Sequence, residues 1–371
     1  MPELGIDSSK LTIEKTKLPK SSLPTKGLVY GQNFTDHMLI IEWEEGYGWK
    51  NPEIKPYSNI SLDPSCCALQ YSFELFEGMK AYKDSNDSIR LFRPELNMKR
   101  MNESAARICL PNFDGNELIK LIIKLVKLEK DFIPKDFGYS LYLRPTMIGT
   151  SGGLGPKPPK SAMIYVICSP SSPYYGLKIK PVKLEAIDYA SRAWPGGSGN
   201  SKLGGNYSPC VLYQRESAKR GFEQILWLNG EDNHISEVGS MNFFIAFKDN
   251  KSGKCELVTA GLDGTILDGV IRRSILELTK EKLDKEKWDI VERVCTIQEI
   301  IERSEKQEVL EAFGCGTSAI VTPVEGIEYH GKYIIIPTDL NNECGPLTRN
   351  ITKWITDIQY GNVESNWSVV V

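Results

Sequence analysis

The spacing of apolar residues along the chain predicts strands that alternate with helices. Runs at 72–82 and 88–92 have the composition of strands, and helical periodicity begins at Pro94 and continues to Cys109. The most regular helix follows Asn116, because its apolar residues recur on one face and its lysines lie largely elsewhere. The apolar positions are Leu118, Ile122, Leu125 and Val126. We interpret this segment as a packing helix.

A turn-rich segment separates this region from a second one of mixed pattern. Residues 162–168 predict a buried strand, and SPSSPYYG at 169–176 is dense in residues that favour turns. We predict an arm at 1–27, a small α/β domain at 28–170, a linker at 171–188 and a large domain at 189–371. In the large domain the pattern predicts strands at 225–228, 242–247 and 256–259 and helices at 208–220 and 269–283. The predicted fold class is mixed α/β.

Composition narrows the class of ligand. The 371 residues suffice for about two domains. A formal net charge of -3 favours neither a nucleic acid nor an anionic membrane surface, so we expect a small-molecule ligand. No apolar run approaches the roughly 18 residues that span a bilayer. The first twenty residues contain acidic residues but no arginine, unlike a mitochondrial presequence, so we expect a cytosolic location, with the mitochondrion as the alternative.

Cysteine and histidine give no sign of a metal site. The nine cysteines form no CxxC motif, and the three histidines are scattered at His37, His234 and His330. We therefore expect reduced thiols and no bound metal.

Lys202 is a candidate nucleophile. It lies in SGNSKLGGNYSPC, where two glycines follow it and would let a large planar group approach the backbone. Taken alone, the same pattern fits a solvated lysine.

Glu237 is a candidate partner for a cationic ring. It lies in NHISEVGSMNFF, an otherwise uncharged and increasingly apolar run, and a buried carboxylate needs a partner. The alternative is a glutamate at a strand end that faces water.

Two glycine-containing turns are candidate phosphate sites. In LDGTILDGVIRRS, Gly264 and Gly269 flank a turn that opens a helix, and helix amino termini attract phosphate. Asp268 would repel a phosphate there, so we expect it to cap the helix from outside; a plain helix start is the alternative. FGCGTSA at 313–319 offers further N–H groups. SGGLGP at 151–156 is not a dinucleotide motif, and GxxxxGK[ST] and GxSxG are absent.

Taken together, the motifs resemble those of a known family. The segments FELFEGMKAY, RPELNMKRM, YLRPTMIGT, KLGGNYSPCVL, EVGSMNFF, LDGTILDGV and AFGCGTSAIVTP occur in the order seen in branched-chain aminotransferases. These are class IV, fold-type IV enzymes that use pyridoxal phosphate (PLP). The resemblance runs from about Gly31 to the carboxy terminus and looks eukaryotic and fungal-like.

The resemblance implies a role for each cofactor-binding residue. Lys202 would hold PLP as a Schiff base and shuttle the substrate proton. Tyr207 would hydrogen-bond the phenolic oxygen, and Glu237 would keep the pyridine nitrogen protonated. The residues implied to bind phosphate are Arg100, Thr317 and the backbone N–H groups around Leu267, Val270 and Ile271. Ser240 stands where many relatives have Thr and keeps the hydroxyl. On its own, Arg100 could be a surface residue of its helix, like Arg93 and Arg107.

The resemblance also implies a substrate pocket with a polar edge. Its aromatic walls would come from Phe34, Tyr71, Phe76, Tyr142 and Tyr175, with Tyr71 reaching in from a partner subunit. Arg144 would accommodate acidic substrates, and the turn at Thr317 and Ser318 would bind the α-carboxylate. Ala319 and Thr322 stand where mammalian relatives carry a redox-active CxxC. Cys315 lies nearby, but only a lowered pKa would argue for a sensor.

The implied activity is reversible amino transfer between leucine, isoleucine or valine and 2-oxoglutarate, by a ping-pong cycle in a homodimer. The alternatives are another class IV enzyme, such as a D-amino-acid aminotransferase or an aminodeoxychorismate lyase, and a non-catalytic binding protein of the same fold. The match along the whole chain argues against another class IV enzyme, and the joint presence of the four residues assigned to the cofactor argues against a non-catalytic protein. Those residues are Lys202, Tyr207, Glu237 and Arg100.

Overall fold

A computed structural model describes residues 4–20, 28–173, 180–339 and 344–371. These residues form two compact units. The first comprises the described residues up to 173 together with Ser201–Gly205 and Asp357–Val371, and the second comprises 180–200 and Asn206–Thr356. Both units mix helices and strands, as predicted.

The first unit contains a ten-stranded sheet within the described residues. Its strands are β1 Thr12–Ile13, β2 His37–Glu44, β3 Gly48–Trp49, β4 Glu53–Pro56, β5 Glu74–Phe76, β6 Met79–Lys83, β7 Ile89–Phe92, β8 Ser140–Gly149, β9 Ser161–Ser171 and a carboxy-terminal strand, Ser368–Val370. The order along the sheet is β1-β4-β2-β9-β8-β6-β7 followed by the carboxy-terminal strand; β3 pairs with β2 and β5 with β8.

Two helices, α2 Pro94–Arg107 and α3 Gly115–Leu128, cover one face of this sheet. A short helix, α1 Cys67–Tyr71, precedes β5 and packs through Ala68 against a separate cluster that includes Met38 and Ile40. The apolar sides of α2 and α3 share one core with alternate strand residues such as Leu75, Leu141 and Leu143. Side chains alternate across a strand, so the intervening residues, among them Phe76 and Tyr142, lie on the opposite face. That face carries the candidate site of this unit.

The second unit contains a nine-stranded sheet that closes on itself. Its strands are β10 Val182–Ile187, β11 Gln224–Asn229, β12 His234–Val238, β13 Met241–Lys248, β14 Cys255–Thr259, β15 Trp288–Glu292, β16 Val309–Gly316, β17 Ile320–Tyr329 and β18 Lys332–Ile335. The order is β12-β11-β10-β17-β16-β13-β14-β15, and a further pairing joins β12 to β13. The strands from β12 to β13 therefore form a closed ring. The remaining helices are α4 Val211–Lys219, α5 Val270–Lys282, α6 Ile297–Glu305 and α7 Pro346–Gln359.

The predicted helices agree with the structure to within two or three residues, but the predicted strand at 72–82 does not. It is two strands, β5 and β6, separated at Glu77 and Gly78. The Glu77 N–H donates to Pro145 O at 2.7 Å, and its side chain turns toward α2. The break therefore results from a long-range ion pair that no local pattern could indicate.

The division of the chain also differs from the predicted one. Lys202 and the carboxy-terminal residues, which we predicted in the large domain, belong to the first unit. The predicted arm includes β1, and the predicted linker includes the end of β9 and all of β10, because partner strands supply their backbone hydrogen bonds. Residues 174–179 of that linker lie outside the described residues.

Two features are absent from the part of the chain that the structure describes. No helix there is both long and apolar enough to cross a bilayer. No group of three or more His, Cys, Asp and Glu side chains there is arranged to hold a metal ion. All nine cysteines lie within the described residues, and each is a free thiol.

Candidate active site

Lys202 lies at the edge of β5, held through its backbone. Its N–H donates to the Ser104 hydroxyl at 2.8 Å, and its carbonyl accepts from the Phe76 N–H at 3.1 Å. Leu203, the next residue, forms an isolated antiparallel bridge with Leu75. Ser104 is buried on α2. A strand and a helix thus fix the lysine backbone, while its side chain is half-buried.

The side chain of Lys202 joins a group of aromatic and cationic residues. Its Nζ lies 4.8 Å from the centre of the Phe76 ring, and the Arg144 guanidinium carbon lies 4.5 Å from the same centre. Arg144 Nη2 also donates to the Tyr142 hydroxyl at 3.2 Å. The structure therefore brings together four residues that we predicted for catalysis and substrate binding. It adds Tyr30, whose ring centroid lies 5.0 Å from that of Tyr142.

Arg100 is buried on α2 and paired with a carboxylate. Its Nε and Nη2 donate to the two oxygens of Glu77 at 2.7 and 2.8 Å. Arg100 is therefore no surface residue. Arg93 is not one either, because it is buried against the Trp367 ring at 4.0 Å, whereas Arg107 is exposed.

Two predicted pocket residues make their contacts elsewhere in the first unit. Phe34 stacks on Tyr57 with ring centroids 5.1 Å apart. Tyr71 is exposed at the end of α1, where its hydroxyl accepts from the Gly155 N–H at 2.7 Å. The predicted pocket residue Tyr175 lies outside the described residues.

In the second unit, Glu237 is buried rather than facing water. Only 2 % of it is exposed. One carboxylate oxygen accepts from the Leu267 N–H at 2.9 Å and from Asn242 Nδ2 at 3.1 Å. The other lies 3.0 Å from Arg192 Nε. A charged carboxylate is stable here because a cation and two neutral donors surround it.

The start of α5 corrects two expectations. Gly269 is the N-cap residue and provides no side-chain cap. Asp268, expected to cap the helix, instead pairs with Arg273 one turn further on. The Leu267 N–H, expected to bind phosphate, donates to Glu237. Val270 and Ile271 begin the helix as predicted, and their N–H groups point out of its amino terminus.

The remaining predicted residues lie in turns of the second unit. Tyr207 precedes the short 3-10 helix Ser208–Cys210, and Ser240 is exposed between β12 and β13. Thr317 and Ser318 form the turn between β16 and β17. Cys315, at the end of β16, is buried, and burial raises the pKa of its thiol, which argues against a redox sensor.

Sequence reasoning missed several polar residues that surround the predicted residues within each unit. These are Glu77, Asn97, Ser104, Arg192 and Asn242. One signal was available: Asn97, Arg100 and Ser104 interrupt the apolar face of α2 at helical spacing. Arg192 carries no such signal, because it lies in a loop far from Glu237 in sequence.

Each unit, taken by itself, contains groups whose chemistry suits PLP. The first unit supplies a primary amine on a fixed backbone and a buried guanidinium. The second supplies a buried carboxylate suited to a pyridinium nitrogen and a helix amino terminus without a side-chain cap, suited to a phosphate.

Comparison with known proteins defines the class and then the family. The model of the family Amino-transferase class IV matches residues 74–327. The chain is 56% identical to a cytosolic branched-chain-amino-acid aminotransferase of Saccharomyces cerevisiae, over 99% of this chain and 98% of that one. It is 54% identical to the mitochondrial one of the same yeast, over 99% and 93%. The chain is thus a class IV aminotransferase and belongs to the branched-chain-amino-acid aminotransferases.

Solved structures agree on the fold. The chain matches the PLP form of a branched-chain amino acid aminotransferase from Thermobaculum terrenum with a TM-score of 0.71, over 91% of this chain and 99% of that one, at 20% sequence identity. The expected fold-type IV architecture is confirmed, and PLP is the cofactor of this class.

Proposed function

We propose that the chain catalyses reversible amino transfer between L-leucine, L-isoleucine or L-valine and 2-oxoglutarate, by a ping-pong cycle that depends on PLP. The observation that carries this proposal is the position of Lys202. Its backbone is fixed by hydrogen bonds to Ser104 and Phe76. Its amino group lies beside the Phe76 ring, which the Arg144 guanidinium also contacts. Relatives over 50% identical along the whole chain have names for the same activity.

The roles of the cofactor-binding residues follow from their chemistry. Bound PLP supplies a carbonyl for the substrate amine and a ring that accepts electrons from the substrate Cα. Lys202 Nζ binds the cofactor covalently and then carries the proton to and from the substrate carbon. Tyr207 donates to the phenolic oxygen, and Glu237 accepts from the ring nitrogen. The phosphate is held by Arg100, Thr317 and the N–H groups of Val270 and Ile271, with the Ser240 hydroxyl nearby.

The pocket must accept both an aliphatic and an acidic side chain. Phe76 and Tyr142 provide apolar walls, and Tyr71 borders the pocket of the partner subunit. The aliphatic substrates gain about 25 cal/mol per Å² of buried area. Arg144 lies over Phe76 and beside the Tyr142 hydroxyl, so the same wall carries a cation for the side-chain carboxylate of glutamate. Thr317 and Ser318 bind the α-carboxylate through backbone N–H groups.

An amino-transfer assay with L-leucine and D-alanine, each with 2-oxoglutarate, tests the reaction. We expect turnover with L-leucine only. Lys202→Ala should lose both turnover and the visible absorption band of bound PLP, whereas Lys219→Ala, at an exposed helix position, should keep both.

Activity with D-alanine alone would assign the chain to another class IV enzyme. A purified protein that takes up no PLP would instead favour the binding-protein alternative.

Assembly and location are further parts of the proposal. We propose a homodimer in which Tyr71 of one subunit borders the pocket of the other. We also propose a cytosolic location, which the relative named cytosolic supports, with the mitochondrion as the alternative that the second yeast relative supports.

A further inference from the structure

One face of α2 carries a strip of buried polar residues. Asn97, Arg100 and Ser104 follow one another at three- and four-residue spacing, so they lie on the same side of the helix. Each is at most 6% exposed. Buried polar groups are costly unless they are bonded, so a helix with a purely packing role would carry apolar residues there.

Two residues of this strip, Asn97 and Arg100, donate hydrogen bonds to the carboxylate of Glu77. It is fully buried, in the break between β5 and β6. Its two carboxylate oxygens accept hydrogen bonds from Nε and Nη2 of Arg100. Asn97 Nδ2 donates to one of these oxygens at 2.7 Å. The Glu77 backbone is itself held by Pro145 O. The carboxylate therefore has its position fixed by a sheet, and it fixes the guanidinium in turn.

The bidentate bond sets the direction of the rest of the guanidinium. Nε and Nη2 form the side-on edge of the planar group. Because that edge is held at two points, the orientation of the end-on edge, which includes Nη1, is fixed. An arginine bound at only one point could rotate about its side-chain torsions, and a ligand would have to restrict that motion at a cost in affinity.

We propose that Glu77 is the positioning residue for Arg100, and that Asn97 in turn holds Glu77. Through this contact, Glu77 sets how strongly the chain prefers a phosphorylated cofactor to its dephosphorylated form. The inference rests on the proposed role of Arg100 as a phosphate ligand. Glu77 itself acts only through Arg100.

Binding of PLP and of pyridoxal, which lacks the phosphate, tests this role. Both equilibrium constants are measured by absorbance titration of the apoprotein. In Glu77→Gln one of the two oxygens becomes an N–H₂ group, which cannot accept a hydrogen bond from Arg100. We therefore expect PLP affinity to fall about 10-fold or more, which corresponds to about 1.4 kcal/mol of binding free energy. Pyridoxal affinity should stay within about twofold. Glu103→Gln, at an exposed position of the same helix, is the matched control and should change neither constant.

A double-mutant cycle with Arg100→Met separates positioning from general stability. If Glu77 acts through Arg100, Glu77→Gln adds nothing to the PLP-to-pyridoxal ratio once Arg100 is replaced. Equal losses for the two ligands, or full additivity with Arg100→Met, would overturn the inference.

Two further outcomes are distinguishable from these. If Glu77→Gln does not fold, Asn97→Leu takes its place. It removes the Asn97 bonds to the Glu77 carboxylate and to Gly78 O but keeps both Arg100 bonds. It should weaken PLP about threefold with pyridoxal unchanged; an unchanged ratio would overturn the inference. Wild-type protein that binds neither ligand would overturn the proposed function itself.

Discussion

At the scale of single residues, the surroundings of Glu237 suit it to bind a cationic ring. A cation and two N–H donors hold its charge in the interior. We predict that Glu237→Gln lowers kcat at least about 100-fold, because the neutral amide lacks the negative charge that keeps the ring nitrogen protonated. PLP should remain bound, as its absorption band will report.

The matched control for Glu237→Gln is Glu231→Gln, in the exposed turn between β11 and β12. It should leave kcat unchanged. A kcat for Glu237→Gln within twofold of wild type would contradict the assigned role.

Lys80 is a buried amine on the face of the sheet that carries Tyr142. Burial lowers the pKa of its ammonium to about 8 from 10.5. Below pH 8 Lys80 is a buried ammonium in the folded state and a solvated ammonium in the unfolded state. Keeping this charge buried lowers the free energy of unfolding by about 3 kcal/mol. This cost is relieved as the pH rises from 8 to 10.5, where the unfolded state alone stays protonated.

Lys80→Met should therefore be more stable than wild type at pH 7, by up to about 3 kcal/mol. The difference should shrink toward zero between pH 8 and 10.5. Urea unfolding at several pH values measures it, with the exposed Lys99→Met as control. A difference that is independent of pH would contradict the lowered pKa of Lys80.

At the scale of elements, a buried carboxylate begins α7. Glu311 accepts from the N–H groups of Leu347 and Thr348 at 2.8 and 2.9 Å and from the Thr348 hydroxyl at 2.7 Å. Glu311→Ala leaves these donors buried without their acceptor. We expect unfolding free energy to fall by about 2 to 3 kcal/mol, measured by chemical denaturation. Glu286→Ala, in an exposed loop, should cost less than about 0.5 kcal/mol. A loss that small for Glu311→Ala would show that α7 does not need this cap.

Sequence predicts elements well where their signals are local. The helices α3 and α5 were predicted because an apolar face repeats over several turns. The break between β5 and β6 could not be predicted, because it depends on Arg100 reaching Glu77 from another element. The local helix signal at Gly269 was correct, but the partner of Asp268 was not, since a nearby arginine outcompeted the helix N–H groups.

The candidate site shows the same difference between residues with a local sequence signal and residues brought in from distant segments. The resemblance identified Lys202, Phe76, Tyr142 and Arg144, and the structure brings these four together. The groups that support them, such as Ser104 and Arg192, come from distant segments and have no motif of their own.

At the scale of the whole molecule, the proposal requires two subunits. Light scattering after size exclusion should give about twice the chain mass of 41.7 kDa. Tyr71→Ala should raise KM for leucine several-fold without reducing PLP content, because the residue borders only the substrate. A fully active monomer would contradict both the dimer and the shared pocket.

The central claim concerns one atom, Lys202 Nζ. Borohydride reduction of the purified protein with bound PLP makes the bond between cofactor and protein permanent, and peptide mass spectrometry then locates it. We predict one modified peptide, which contains Lys202, at close to full occupancy. A label on another lysine such as Lys80, or no label on a protein that catalyses amino transfer, would contradict the account.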